Sequence, residues 1–299
     1  MDEAPDLTHH RPVFAMMLRL GAAFVLAVML VFVKLADQSG IHLAETLFWR
    51  QLPTIPIVLI WLALRGQLGK LRTRRLGTHA RRALFGLVGM FLNSGAVTLL
   101  PLAEATAFNF SSAIWAVILS ALVLREKVGV WRWTAVLLGF TGVLVIAQPG
   151  DGHIPLTGAM VALGAALMIA LISVQIRDLG RTEDPLAIVF YFALLTVPLL
   201  ALAMPFVATS HTPYQWSLLT GLALFGLLGQ FLLTAALRYG TVASVIVMDY
   251  SGIVWAILFG WLLFNVLPPA TTWIGAPLVI GAGVLIALRE HRLGRAGTA

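Results

Sequence analysis

Ten apolar runs follow one another along the chain, separated by short polar or turn-forming breaks. They cover roughly residues 16–36, 45–65, 83–100, 104–124, 131–147, 156–176, 185–206, 216–237, 242–264 and 271–288. A helix needs about 20 mostly apolar residues to cross the hydrocarbon core of a bilayer. The pattern therefore predicts an all-α integral membrane protein of ten transmembrane helices. Links as brief as Pro101 to Ala103 predict helical hairpins.

The basic residues form a second pattern. Arg65, Lys70, Arg72, Arg74, Arg75, Arg81 and Arg82 lie between spans 2 and 3; Arg125, Lys127 and Arg132 lie between spans 4 and 5. Arg177 and Arg181 follow span 6, Arg238 follows span 8, and Arg289, Arg292 and Arg295 follow span 10. The alternate links hold no Lys or Arg. Loops rich in Lys and Arg stay cytoplasmic, so both termini are expected in the cytoplasm of a cell inner membrane. Lys34 and Arg50 depart from the pattern, lying toward the outer ends of spans 1 and 2.

The chain also repeats itself. Ala83-Leu84-Phe85-Gly86-Leu87 recurs as Ala223-Leu224-Phe225-Gly226-Leu227, an offset of 140 that also pairs Trp115 with Trp255 and Trp133 with Trp273. Upstream, Phe48-Trp49 pairs with Phe190-Tyr191 and Pro56 with Pro198 at 142, and Gly21-Ala22-Ala23 with Gly164-Ala165-Ala166 at 143. Spans 1–5 thus correspond to spans 6–10. Five is odd, so the second unit must enter the membrane from the opposite side, giving two inverted five-helix repeats. Many secondary transporters share this plan, with a substrate site near the midplane between the halves. The expected organisation is a tail (1–15), a first repeat (16–147), an outer linker (148–155), a second repeat (156–288) and a tail (289–299).

Composition narrows the alternatives. Hydrophobic residues make up 60% of the chain and charged ones 11%, against about 25% charged in a soluble domain. The formal charge of +7 belongs to links facing anionic lipid, which argues against a nucleic-acid partner. There is no cysteine, so disulfides, thiolate chemistry and Cys-based metal sites are excluded. Residues 1–15 carry Asp2, Glu3, Asp6, His9, His10 and Arg11, unlike a secretory signal, so the first span is expected to be retained. His9, His10, His42, His79, His153, His211 and His291 fall in tails, links or helix ends. No phosphate loop, HExxH or GxSxG motif occurs. Neither a metal nor a cofactor is expected, and the chain is not expected to be an enzyme.

Asp249 is the acid placed furthest inside a span, in Val247-Met248-Asp249-Tyr250-Ser251. An intramembrane acid is costly unless paired, hydrated or protonated. The repeat puts Asn109 at the equivalent place. Asp249 reads as a substrate contact or proton carrier, or as a packing residue bonded across helices, with Asn109 as the partner. Ser111 and Trp115, and their counterparts Ser251 and Trp255, are i,i+4 pairs that share a helix face. With Tyr250 they are expected to line an aromatic cavity for apolar amino acids or similar metabolites; the alternative is lipid contact or packing. Arg50 reads as an outer gate or a carboxylate-binding group, with Lys34 nearby, or as an interfacial anchor. Pro53, Pro56 and Pro198 are expected to weaken the backbone ladder of spans 2 and 7.

Phe48-Trp49-Arg50, the run Leu122-Val123-Leu124-Arg125-Glu126-Lys127, and Trp133 with Gly139 and Gly142-Val143-Leu144 together resemble the drug/metabolite transporter superfamily in its ten-helix, EamA-type branch. Gly281-Ala282-Gly283-Val284-Leu285 repeats the last feature, whereas Asn265-Val266 replaces the expected Glu. The aromatic-rich helices are most similar to bacterial exporters of aromatic amino acids. The resemblance implies export of an amino acid or similar small metabolite by alternating access. A multidrug or nucleoside exporter is the alternative within transport; a membrane enzyme or channel fits less well. The implied partners are a small-molecule substrate and the lipid bilayer, and a monomer is compatible with this plan.

Overall fold

The computed structural model describes residues 12–122, 130–148, 154–180, 182–239, 248 and 250–296. Among them the chain is helical and has no strand. The first half contributes α1 (Pro12–Gln38), α2 (Leu43–Gln51), α3 (Thr54–Leu64), α4 (Leu76–Leu99), α5 (Leu102–Asn109), α6 (Ser112–Leu122) and α7 (Val130–Ala147). The second half contributes α8 (Leu156–Leu179), α9 (Pro185–Ala201), α10 (Met204–Val207), α11 (Pro213–Tyr239), α12 (Ser251–Phe264) and α13 (Ala270–Ala296). Six stretches are long and apolar enough to cross a membrane: Val13–Gln38, Leu43–Leu64, Leu76–Leu99, Leu102–Leu119, Leu156–Ile176 and Pro213–Ala236. Four shorter apolar helices are Trp133–Ile146, Pro185–Ala201, Ser251–Phe264 and Ala270–Leu285. Each apolar run of the sequence therefore contains a helix.

Local chemistry explains where these helices break. The second run divides at Leu52–Pro53, because Pro53 has no N–H for the ladder. Pro56 falls in the first turn of α3, where proline is tolerated, and Pro198 lies near the end of α9. The fourth run divides at Phe110 and Ser111, which form a turn between α5 and α6. Asn265 ends α12 in the left-handed region, at φ 53°, and its N–H donates to the Gly260 and Trp261 carbonyls. Asn tolerates that conformation well, so the residue standing in place of the family's Glu serves as a helix stop.

Two boundaries differ most from expectation: α13 runs to Ala296, through most of the expected tail, and α4 starts early. Hydropathy starts the third span at residue 83, but α4 begins at Leu76, about two turns earlier. Arg82 is consequently a buried helical residue and not part of the basic link.

The helices pack mainly across the two halves: α1 on α11, α4 on α8, α7 on α13, α5 on α12 and α2 on α9. The glycines show how closely. A Cβ built on Gly21 would stand 3.8 Å from Leu232, and one on Gly164 would stand 3.3 Å from Leu92. The repeat makes Gly164 the counterpart of Gly21, and Leu232 that of Leu92, so the two contacts exchange when the halves are swapped. Gly139 against Ala282 and Gly142 against Val279, each at 2.9 Å, exchange in the same way. So do Gly86 against Phe192, at 2.6 Å, and Gly226 against Arg50, at 3.2 Å. Phe110 and Tyr250 are each other's counterparts, and their rings meet edge to face at 5.0 Å.

The α7–α13 crossing is the tightest of these approaches between backbones. A Cβ on Gly142 would lie 2.7 Å from the Gly275 carbonyl oxygen, and one on Gly275 would lie 2.6 Å from that of Gly142. Gly142→Ala and Gly275→Ala should each cost roughly 1–3 kcal/mol through overpacking. Gly281→Ala, on the same helix with open space around it, should be nearly neutral. Thermal melts of the detergent-solubilised protein check this, and equal melting of all three variants would show that the crossing is loose.

Candidate functional site

The interior between the halves contains charged groups from both ends of the bundle. Lys34, on α1, donates through Nζ to the carbonyls of Val97 at 2.9 Å and Leu100 at 2.8 Å. These belong to the end of α4, where carbonyls lack helical partners and the helix dipole favours a cation. Its ammonium also stands 5.8 Å from the centre of the Phe264 ring. Glu104, in the first turn of α5, is 1% exposed and accepts from Thr272 Oγ1 at 3.3 Å. It lies within electrostatic reach of Lys34, and its second oxygen has no hydrogen-bond partner. Lys34 thus ties α1 to α4, with main-chain carbonyls as its direct partners.

Arg50 and Arg82 lie deeper. Arg50, from α2, is 6% exposed, and its Cγ and Nε press on Gly226 of α11. Arg82, from α4, is 4% exposed, with its guanidinium carbon 3.9 Å from the centre of the Phe192 ring. Close by, Gln51 donates to Thr196 Oγ1 at 3.4 Å, joining α2 to α9.

Each end of the bundle is closed by polar contacts between the halves. At one end His211 Nε2 meets Glu45 Oε1 at 2.7 Å, both side chains 2% exposed. Gln215 donates to the Ser39 carbonyl at 2.9 Å, and Trp216 packs edge to face on Trp49 at 4.9 Å and His211 at 5.2 Å. At the other end His79 Nε2 lies 3.8 Å from Glu183 Oε2. Thr73 donates to Glu183 at 2.8 Å, Arg75 pairs with Asp178, Lys70 pairs with Asp184 at 3.4 Å, and Tyr191 donates to the Leu71 carbonyl at 2.8 Å. The Tyr191 ring also rests 4.6 Å from His79. Both latches join a His at or just before the start of a third span to a Glu at or just before the start of a second span of the other half. The aromatic beside each latch, Trp49 or Tyr191, occupies equivalent repeat positions.

The residues expected to form the site are placed unevenly. Asp249 lies outside the described residues. Asn109 ends α5 and donates to Asn93 Oδ1 at 2.7 Å, while its own Oδ1 has no partner. Ser111 and Ser251 make matching bonds to carbonyls three residues back, Phe108 at 2.7 Å and Met248 at 2.6 Å. Their hydroxyl protons are thereby committed to their own backbone. Tyr250 is held against Phe110 and Gly283, where a Cβ would clash with its hydroxyl. Trp255 packs edge to face on Phe24 of α1 at 4.9 Å, and among the described residues no ring contact joins it to Trp115. The structure brings Tyr250 to the interface with Phe110.

Sequence reasoning missed Arg82, Glu104, Glu45, His79 and His211 as interior groups. All lie near span ends, where hydropathy treats a charge as solvated. The buried histidines make His–carboxylate pairs in place of the exposed positions expected of links and helix ends.

The chain matches the EamA-like transporter family twice, over residues 13–148 and 156–288. It is 30% identical to a riboflavin transporter of Vibrio cholerae over 81% of each chain. It is also 30% identical to a pseudopaline exporter of Pseudomonas aeruginosa over 89% of this chain and 93% of that one. These relatives are named for riboflavin and pseudopaline, where the resemblance pointed to aromatic amino acids. A crystal structure at 21% identity covers 93% of this chain and 98% of its own with a TM-score of 0.64, which shows a shared fold.

The Lys34 arrangement has a measurable consequence. Lys34→Met leaves two carbonyls and Glu104 without their cation and should cost about 1–3 kcal/mol. Adding Glu104→Gln to Lys34→Met should recover part of that loss. Melting curves of the single and double variants check the coupling; strictly additive losses would show that the two groups act independently.

Proposed function

We propose, from the premise that the chain belongs to the EamA-like transporter family of membrane proteins, that it carries a small organic metabolite across the cell inner membrane by alternating access. The observation that carries this reading is the set of contacts that exchange when the halves are swapped, together with a latch at each end. The double family match, one for each half, supports the same ten-helix plan of inverted repeats. Such a pair of halves opens one end while keeping the other shut. By the distribution of basic links, the His79–Glu183 latch faces the cytoplasm and the His211–Glu45 latch faces outward.

The substrate class fits an amino acid or a similar metabolite with a polar head and an apolar or aromatic body. Phe110, Phe192 and Tyr250 supply aromatic surface at the interface between the halves. The names of the relatives extend the class beyond amino acids to other metabolites. Asp249, the repeat counterpart of Asn109, is the proposed coupling residue. Transport, not catalysis, is the activity proposed, and no cofactor is required.

Flux of labelled amino acids into proteoliposomes, with and without a proton gradient, tests the reading. Saturable, substrate-competed flux is expected, and Asp249→Asn should slow it without lowering expression. Full transport by that variant would remove Asp249 from the mechanism.

The latches make a second prediction. The chain has no cysteine, so Thr196→Cys provides a single buried reporter between α2 and α9. A charge-assisted hydrogen bond contributes roughly 1.5–3 kcal/mol, so Glu45→Gln should raise labelling by an impermeant maleimide on intact cells about tenfold. Glu183→Gln should lower it. Identical rates in all three backgrounds would rule the latches out as gates.

A further inference from the structure

Arg50 and Arg82 place two positive charges in the interior where, among the described residues, no carboxylate pairs with them. They reach it from opposite ends of the bundle, on α2 and α4, and lie within electrostatic reach of each other. Nε of Arg50, and Nε and Nη1 of Arg82, are buried without a hydrogen-bond partner. Among the described residues the paired carboxylates have other partners: Asp184 has Lys70, Asp178 has Arg75, Glu183 has His79 and Glu45 has His211. Glu104 interacts with Lys34 and Thr272.

A buried charge left unpaired is strongly destabilising, and two of like sign add repulsion. The Phe192 ring under Arg82 offsets part of this through its quadrupole, and Arg50 has no such ring. The duplicated framework does not demand the charges either. The repeat puts Phe192 at the counterpart of Arg50 and Leu222 at that of Arg82. Gly226 and Gly86, which are also counterparts, clear the space that each arginine occupies. A guanidinium offers planar, paired donors that match a carboxylate or phosphate.

We propose that Arg50 and Arg82 form the subsite for an acidic group of the transported metabolite, a carboxylate or phosphate monoester held between the two guanidinium groups, with Phe192 as the neighbouring apolar surface. The subsite lies on the inter-half interface and so deepens the transport reading, on which it rests.

The test uses the purified full-length chain and matched probes: benzoate against benzamide, citrate against trimethyl citrate, and glucose 6-phosphate against glucose. Binding is read by intrinsic Trp fluorescence at fixed ionic strength. At least one acid should bind saturably and about tenfold or more tighter than its neutral counterpart. Arg50→Gln and Arg82→Gln should each weaken that acid by about thirtyfold or more, with the variants still monodisperse on gel filtration. The wild-type comparison needs no variant, and equal binding of every acid and its neutral counterpart overturns the subsite. So does an acid preference that survives both Gln substitutions. Proteoliposome flux separates the two readings: saturable flux of the acid that is unchanged in both Gln variants leaves the carrier standing and removes the subsite. Acid binding that depends on both arginines, without saturable flux of any solute, supports the subsite and counts against transport.

Discussion

The closest approach of one helix backbone to another runs between the two halves, and the rest of the structure depends on that crossing and others like it. A bilayer gives helices no hydrophobic reason to associate, so close packing of small residues has to hold them together. Gly142 and Gly275 bring the backbones of α7 and α13 into contact, and Gly21, Gly164, Gly86 and Gly226 do the same for helices against opposing side chains. The largest buried cluster draws Val31, Phe108 and Val143 from one half and Ala162, Ile253 and Val279 from the other. The interior of the protein is therefore the interface between its halves. A polar group placed there lies between two bodies whose relative movement opens a path.

Packing follows the duplication, whereas charge does not. Glycines and apolar partners exchange faithfully between the halves, but Arg50 faces the role of Phe192 and Arg82 that of Leu222. Asn109 likewise stands where the second half has Asp249. Lys34, Arg50, Arg82 and Glu104, all buried or half-buried, belong to the first half. A small metabolite has no two-fold symmetry, so a symmetric cage would offer each of its groups the same environment twice. On the proposed reading, a duplicated scaffold whose two halves carry different charges would provide both a reversible frame and a polar orientation for the cargo.

Much of this was legible in the sequence. Hydropathy located each helical region, and the near-140 register paired positions that the structure brings together, such as Phe110 with Tyr250. The interior charges were not legible, for a physical reason. Hydropathy begins a helix where apolar side chains begin, but a helix continues as long as its backbone bonds do, and α4 starts at Leu76. Arg82 then lies inside the bundle, covered by Phe192 from the other half, and no local pattern reveals that cover. Helical spacing put Ser111 with Trp115 and Ser251 with Trp255, but could not show that both hydroxyls bond to their own backbone. Trp255 packs on Phe24 of the other half, a contact its register with Trp115 could not reveal.

The arginines and the latches meet on the same two helices. Glu45 of one latch and Arg50 share α2, and His79 of the other latch and Arg82 share α4. Without an acid between them the two guanidinium groups repel, which pushes apart helices that each hold one end of the bundle closed. An acid bridging them turns that repulsion into attraction and draws α2 and α4 together. The latches also differ in make-up, with His211–Glu45 a single short contact at 2.7 Å and His79–Glu183 at 3.8 Å set among an Arg75–Asp178 ion pair and hydrogen bonds from Thr73 and Tyr191. On the proposed transport reading, a single buried charge pair, present in only one half of a duplicated frame, would couple occupancy of the interior to both of its exits.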